Sequence, residues 1–195
     1  LRERRLILFL GRIHLKKNPV GLVRAWAEIH RRFPDWLLLV AGPDEGGHCR
    51  EVVKAVKSLN LERDVFLSGP LYGDLRLAAL GAAEAFILPS FSEGFSVAVL
   101  EAMACRLPVI VTRGCNFPET AENRAGLECD PDSTGISEAL RVILEMNVEE
   151  RIQMGLRGQD LVRAHYTWEK IAGQTRALYT WLVAGDGAPA FVESE

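Results

Sequence analysis

The run Pro89-Ser-Phe-Ser-Glu-Gly-Phe-Ser-Val-Ala-Val-Leu-Glu-Ala-Met-Ala104 holds two carboxylates, Glu93 and Glu101, eight positions apart across a strand-to-helix junction. The apolar run from Ala85 to Leu88 reads as a buried strand, Pro89 to Glu93 as its exit loop, and Val97 to Ala104 as a helix of good helix formers. The first amides of that helix, near Ser96 and Val97, lack intrahelical acceptors and sit at the positive end of the helix dipole, which favours a phosphate. Glu101 lies one turn in, on the face of Val97, and its side chain tilts back toward the helix start. Glu93 approaches from the loop. A diphosphate flanked by two polyols matches this layout, because each carboxylate can accept hydrogen bonds from two neighbouring hydroxyls. On spacing alone the pair reads equally well as a loop surface charge and a solvated helix position.

The cations that would meet such an anion lie in the first loop, Gly11 to Asn18, which carries Arg12, Lys16 and Lys17. Taken alone they could equally be ordinary loop charges. What positions both sets is an alternation of apolar runs with helical patterns: 6–10, 36–41, 65–67, 85–88, 108–111 and 126–129. Six such runs predict an α/β fold, a Rossmann-like doubly wound parallel sheet of about six strands flanked by helices. In an open parallel sheet ligands bind beyond the carboxyl ends of the strands, at the switch point of strand order. That rule selects the loops 11–18, 42–47, 69–73, 90–96 and 112–117.

Between the strands, Asn18-Pro19 reads as a cap with proline at the first helical position, opening a helix whose Leu22, Val23, Trp26, Ala27 and His30 share a face. Asp132 or Ser133 can cap a segment with Ile136, Leu140, Ile143 and Leu144 inward, followed by helices over 148–165 and 167–184. Residues 1–184 are expected to form one domain, and 185–195 a flexible tail rich in glycine, proline and acidic residues.

A chain of 195 residues that is 48% hydrophobic and 25% charged suits one well-packed domain. A net charge of −3 provides no basic field for nucleic acid. No apolar stretch approaches the roughly 20 residues of a membrane span. A cytoplasmic protein is expected, whose short basic start, Arg2 to Arg5, could make a peripheral membrane contact. The four cysteines, Cys49, Cys105, Cys115 and Cys129, form no Cys-x-x-Cys pair and read as reduced structural thiols, with Cys105 packing as a small hydrophobe.

Together these residues resemble the C-terminal, donor-binding half of the family-4 retaining glycosyltransferases of GT-B architecture. The resemblance covers about residues 6 to 183. It rests on Phe9-Leu-Gly-Arg12 with Lys17 five residues on, Val40-Ala-Gly-Pro-Asp44, Val65-Phe-Leu-Ser-Gly69, the block from Glu93-Gly-Phe to Glu101-Ala-Met-Ala104, Pro108-Val-Ile110 and Tyr166-Thr-Trp-Glu169. It implies that Arg12 and Lys17 bind the diphosphate, Glu93 the donor sugar and Glu101 the ribose. It further implies that Gly11 and the backbone of Gly94, Phe95, Ser96 and Val97 line the donor site, with Leu71 near the base. The implied donor is a nucleotide sugar of hexose type, and neither a metal nor another cofactor is expected. The implied partner is an N-terminal acceptor domain absent from this chain, which leaves the isolated domain inactive in transfer. Ser96 departs from the family, which usually has glycine there.

Other readings stay in view. Ser96, Asp130 and His165 follow the Ser, Asp, His order of α/β-hydrolases. Asp130-Pro-Asp132 mimics a manganese-binding acidic pair, although capping of the next helix explains it more cheaply. His14 and His48 lie in candidate loops and could touch phosphate or sugar. A non-catalytic nucleotide-sugar-binding module or a GT-B epimerase would use the same fold.

Overall fold

The computed structural model describes residues 4–185 and 187–192. Its sheet consists of β1 (Arg5–Leu10), β2 (Trp36–Ala41), β3 (Val65–Gly69), β4 (Ala85–Leu88), β5 (Val109–Thr112) and β6 (Gly126–Cys129), all parallel, in the order β3-β2-β1-β4-β5-β6. The apolar runs fall where they do because the central strands are covered on both faces. All six residues of β2 and all four of β4 and β5 are buried. The edge is less covered: β3 exposes half of Phe66.

Helices α1 (Pro19–Ile29), α2 (Cys49–Ser58), α3 (Gly73–Ala82), α4 (Val97–Ala104), α5 (Glu119–Glu122), α6 (Ser133–Glu145), α7 (Val148–His165) and α8 (Trp168–Ala184) complete the chain. α4 has the bounds its sequence predicts. Asp132 caps α6 by accepting from the Gly135 amide at 2.7 Å, and Ile136, Leu140, Ile143 and Leu144 are buried. Asn147 and Glu150 form a reciprocal capping box on α7. α8 starts one residue later than expected, with Thr167 as its cap, and buries no residue of its own.

Three local expectations are corrected. Asn18 precedes α1 but does not cap it with its side chain. It is buried in a left-handed conformation (φ 55°), and its amide nitrogen donates to the Pro131 carbonyl at 2.8 Å, tying the α1 start to the loop before α6. On α1 the buried stripe includes Ala25 and Ile29, while Ala27 is only half-buried; His30, also half-buried, opens a 3-10 turn instead of continuing the helix. Gly185, expected to begin the tail, is the left-handed residue that ends α8. Of that expected tail, Asp186 and residues 193–195 lie outside the described residues, as do residues 1–3 of the basic start. Arg4 and Arg5 are engaged in ion pairs, with Asp64 at 2.6 Å and Asp35 at 2.7 Å.

Candidate functional site

Strand order reverses between β1 and β4, and there the carboxyl ends of β1, β2 and β4 open into a cleft of about 380 Å³. Its wall includes Gly11, Arg12, Lys17, Leu71, Glu93, Phe95, Ser96 and Val97, eight of the ten residues that the resemblance implies for the donor site. Gly94 sits between two of them in the chain. Glu101 meets the cleft through Arg76, its ion-pair partner, which lines it. A larger cavity of about 760 Å³ lies along α2, bounded by Asp44, Arg50, Lys54 and Lys57. It is a groove beside one helix, away from the switch point; the start of α2 borders it, but the first amide there, of Cys49, already donates to Asp44 at 2.9 Å, and no carboxylate pair converges on it. The smaller cleft is the candidate site on physical grounds.

The loop after β4 is stitched by backbone to the loops after β1 and β5. The Phe91 amide donates to the Lys16 carbonyl at 2.8 Å, and the Glu93 amide to the Gly114 carbonyl at 2.7 Å. Gly114 permits that approach, since a Cβ there would lie 2.4 Å from the Phe91 oxygen. Lys17 ends a short 3-10 turn, Leu15–Lys17, which His14 caps by accepting from the Lys16 amide at 3.2 Å. His14 therefore has a structural task. The turn brings the Lys17 ammonium to 2.5 Å from Oε1 of Glu93, with only 15% and 9% of the two side chains exposed. Ser90, buried at the end of β4, donates its hydroxyl to the same oxygen at 2.5 Å. Behind it, Thr112 donates to the Ser90 carbonyl. Oε1 of Glu93 is thus held by two donors, while Oε2 has no hydrogen-bond partner among the described residues.

Beside this pair the chain turns into α4. Ser96 is its N-cap, with ordinary extended backbone (φ −102°, ψ 101°) and no hydrogen bond from its side chain. The first amides to find acceptors are those of Val99 and Leu100, both bonded to the Ser96 carbonyl. Among the described residues the amides of Gly94, Phe95, Ser96, Val97 and Ala98 have no acceptor. A row of open donors at a helix start, next to a lysine, is an arrangement that favours an anion.

Two further ion pairs flank the cleft, and both involve residues that sequence reasoning did not select. Arg12, 60% exposed, gives one guanidinium nitrogen to both carboxylate oxygens of Glu45, at 2.8 and 2.6 Å. Arg76 of α3 donates to Oε2 of Glu101, and its own buried Nε has no partner among the described residues. Glu45 and Ser90 stood inside loops that the strand-end rule selects. Arg76 carries no local signal, since it lies on a helix that the sequence pattern does not mark.

Phe95, half-exposed, packs against Phe117 (ring centroids 5.9 Å apart) and Tyr166 (5.7 Å), which fixes the loop from beneath. Burial, and then Glu119, push the Tyr166 hydroxyl above its ordinary pKa. Cys115 is buried and donates to the Leu88 carbonyl at 3.1 Å, while Cys105 is exposed at the C-terminal end of α4, contrary to the expectation that it packs inside. α4 ends at Ala104, and the chain turns outward there through Arg106 in a left-handed conformation. Burial pushes the Cys129 thiol up to about 12.

The hydrolase and manganese alternatives find no geometric support. Asp130 pairs with Arg113 at 3.1 Å, His165 ends α7 exposed, and no hydrogen bond among the described residues links either to Ser96. Asp132 is occupied as the cap of α6. His48 sits before α2 without capping it. Among the described residues no cluster of three His, Cys, Asp or Glu side chains could hold a metal, and no helix is long and apolar enough to cross a membrane.

A parallel sheet ordered 3-2-1-4-5-6, with a cleft at its reversal point, defines a Rossmann-like domain. The family model for glycosyl transferases group 1 matches residues 2–160, and the chain belongs to that family. It is 30% identical over 194 residues to the D-inositol 3-phosphate glycosyltransferase of Corynebacterium glutamicum (strain R), covering 93% of this chain and 44% of that protein. Among solved structures it resembles sucrose-phosphate synthase from Thermosynechococcus elongatus, with a TM-score of 0.84, 27% identity, and coverage of 95% of this chain and 47% of that one. It also resembles the C-terminal domain of a glycosyl transferase group 1 family protein (LpcC) from Francisella tularensis, with a TM-score of 0.75, 25% identity, and coverage of 84% and 87%. The chain spans about half the length of the curated relatives it matches, 44% for the Corynebacterium glutamicum protein.

Proposed function

We propose that this chain is the donor-binding half of a retaining glycosyltransferase, and that the cleft between β1 and β4 holds a nucleoside diphosphate sugar of hexose type. The observation that carries this reading is the buried Lys17–Glu93 pair beside the open amides of residues 94–98. In this reading the α4 start and Lys17 take the diphosphate. Arg12 contributes once a phosphate competes for its free guanidinium edge. Glu93 offers Oε2 to the sugar hydroxyls, and Glu101 receives the ribose.

The chemistry follows from where charge develops. As the sugar–phosphate bond breaks, negative charge grows on the leaving diphosphate, and donors that are already aimed there stabilise it without reorganising. Lys17, Arg12 and the helix start supply that stabilisation without a metal, and the leaving phosphate can accept the proton of the incoming hydroxyl. The acceptor is read by a preceding domain, and α8, with no buried residue of its own, is the element that meets it. The chain by itself then binds donor without transferring sugar, and cytoplasmic residence is part of the proposal.

Uridine, guanosine and adenosine diphosphates, titrated separately, should give a saturable thermal shift with at least one, lost on Lys17→Ala. The longer protein should then transfer sugar in the presence of EDTA with the anomeric configuration retained. No shift with any of the three sinks the reading. Donor binding without transfer in the longer protein converts it to a sensor module, and release of an epimer converts it to an epimerase.

A further inference from the structure

Each carboxylate around the cleft has its own cation: Glu93 has Lys17, Glu45 has Arg12, and Glu101 has Arg76. The third pair is the informative one. Arg76 reaches from α3, 25 positions back in the chain, to Oε2 of Glu101 on α4, leaving Oε1 of that carboxylate without a hydrogen bond among the described residues. It lines the cleft beside Leu71 and Tyr72, so it joins the wall near the proposed base to the residue proposed for the ribose.

We propose that Arg76 is a positioning residue for Glu101 and thereby sets the discrimination for ribose; this rests on the donor-site reading above. A glutamate side chain has three rotatable bonds, and one that is 37% exposed does not hold a single orientation unaided. Arg76 engages one oxygen and leaves the other to accept from a vicinal diol. Its charge also offsets that of Glu101, which would otherwise oppose a diphosphate bound at the start of the same helix. The pair itself adds little to folding, because both side chains are more than a third exposed. Its value lies in alignment.

The test is calorimetric titration of this chain with the nucleoside diphosphate that binds and with its 2′-deoxy counterpart. In the unaltered chain the deoxy form should bind roughly tenfold more weakly, the worth of a hydrogen bond to a charged acceptor. Arg76→Ala should reduce that ratio to about two, as should Glu101→Gln, and the double variant should lower it no further, since both changes remove one aligned acceptor. Where Arg76→Ala does not fold, Arg76→Gln keeps the stem, loses the charge and should give the same ratio. A ratio unchanged in the Arg76 variants, including a uniform loss of both nucleotides, overturns the inference and leaves the donor site standing. A ratio near one in the unaltered chain overturns it too. Absence of binding by any nucleoside diphosphate to the unaltered chain overturns the donor-site reading and this inference with it.

Discussion

Replacing Lys17 by methionine separates the two tasks that the Lys17–Glu93 pair performs. With 15% and 9% of the side chains exposed and 2.5 Å between the charged atoms, the pair behaves as a largely buried one. Removing the cation leaves Glu93 held only by the Ser90 hydroxyl. Loss of one partner of a buried pair costs about 3–5 kcal/mol, and the surviving Ser90 bond puts this case near the low end. A change of that size lowers Tm by roughly 6–12 °C in a domain of this length. The double variant Lys17→Met, Glu93→Gln removes both charges, so most of that loss should return, to within about 1 kcal/mol of the unaltered chain.

Binding should behave differently. A charge-assisted bond from Lys17 to phosphate is worth about 1.5–3 kcal/mol, so a nucleoside diphosphate should bind roughly 10- to 150-fold more weakly to both variants. A diphosphate without its sugar keeps the loss of Glu93's sugar contacts out of the comparison. Chemical denaturation and titration calorimetry supply the two numbers. If the double variant binds the diphosphate as tightly as the unaltered chain, or regains no stability, the assignment of Lys17 to the anion and of the pair to the cleft wall is wrong.

Other perturbations probe the frame. Ser96→Gly should change stability by only a few tenths of a kcal/mol by denaturation, because the residue caps α4 without a side-chain bond and from unstrained backbone. Gly42→Ala should destabilise by about 3 kcal/mol or more and weaken diphosphate binding, since a Cβ there would lie 1.7 Å from the Gly11 carbonyl oxygen at the cleft floor. Burial holds the Cys129 thiol protonated up to about 12, against an ordinary value of 9.0. That stability is fully present below pH 9 and is lost as pH rises toward 12. Alkaline unfolding should therefore be shallower in Cys129→Ala, as followed by circular dichroism.

Much of this arrangement was legible in the chain because it follows from period and punctuation. The six apolar runs located the strands to within two residues at either end, and α4 kept its predicted bounds, since a helix of valine, leucine, alanine and methionine after an extended loop has no competing structure. The meeting of Lys17 and Glu93, 76 positions apart, followed from one rule: loops at the carboxyl ends of neighbouring parallel strands converge. What was not legible depended on side chains crossing between elements. Arg76 comes from a helix whose apolar pattern is weak, with Leu75 and Leu77 largely exposed, so nothing local marks it as part of a site. Glu45 and Arg12 both stood in selected loops, but sequence does not say that a surface glutamate will occupy the arginine. Asn18 looked like a cap because its type and the following proline fit one, and the structure spends its amide on Pro131. Cys105 looked internal because it continues an apolar helix, yet α4 stops one residue before it.

The central claim is that the ligand sits at the reversal of the sheet, not in the larger groove along α2. Amide chemical-shift mapping on the ¹⁵N-labelled chain, titrated with the nucleoside diphosphate that produces the thermal shift, tests it directly. The largest changes should fall on the open amides of residues 94–98 and on residues 11–17. Changes centred instead on Arg50, Lys54 and Lys57, with residues 94–98 unmoved, would contradict it.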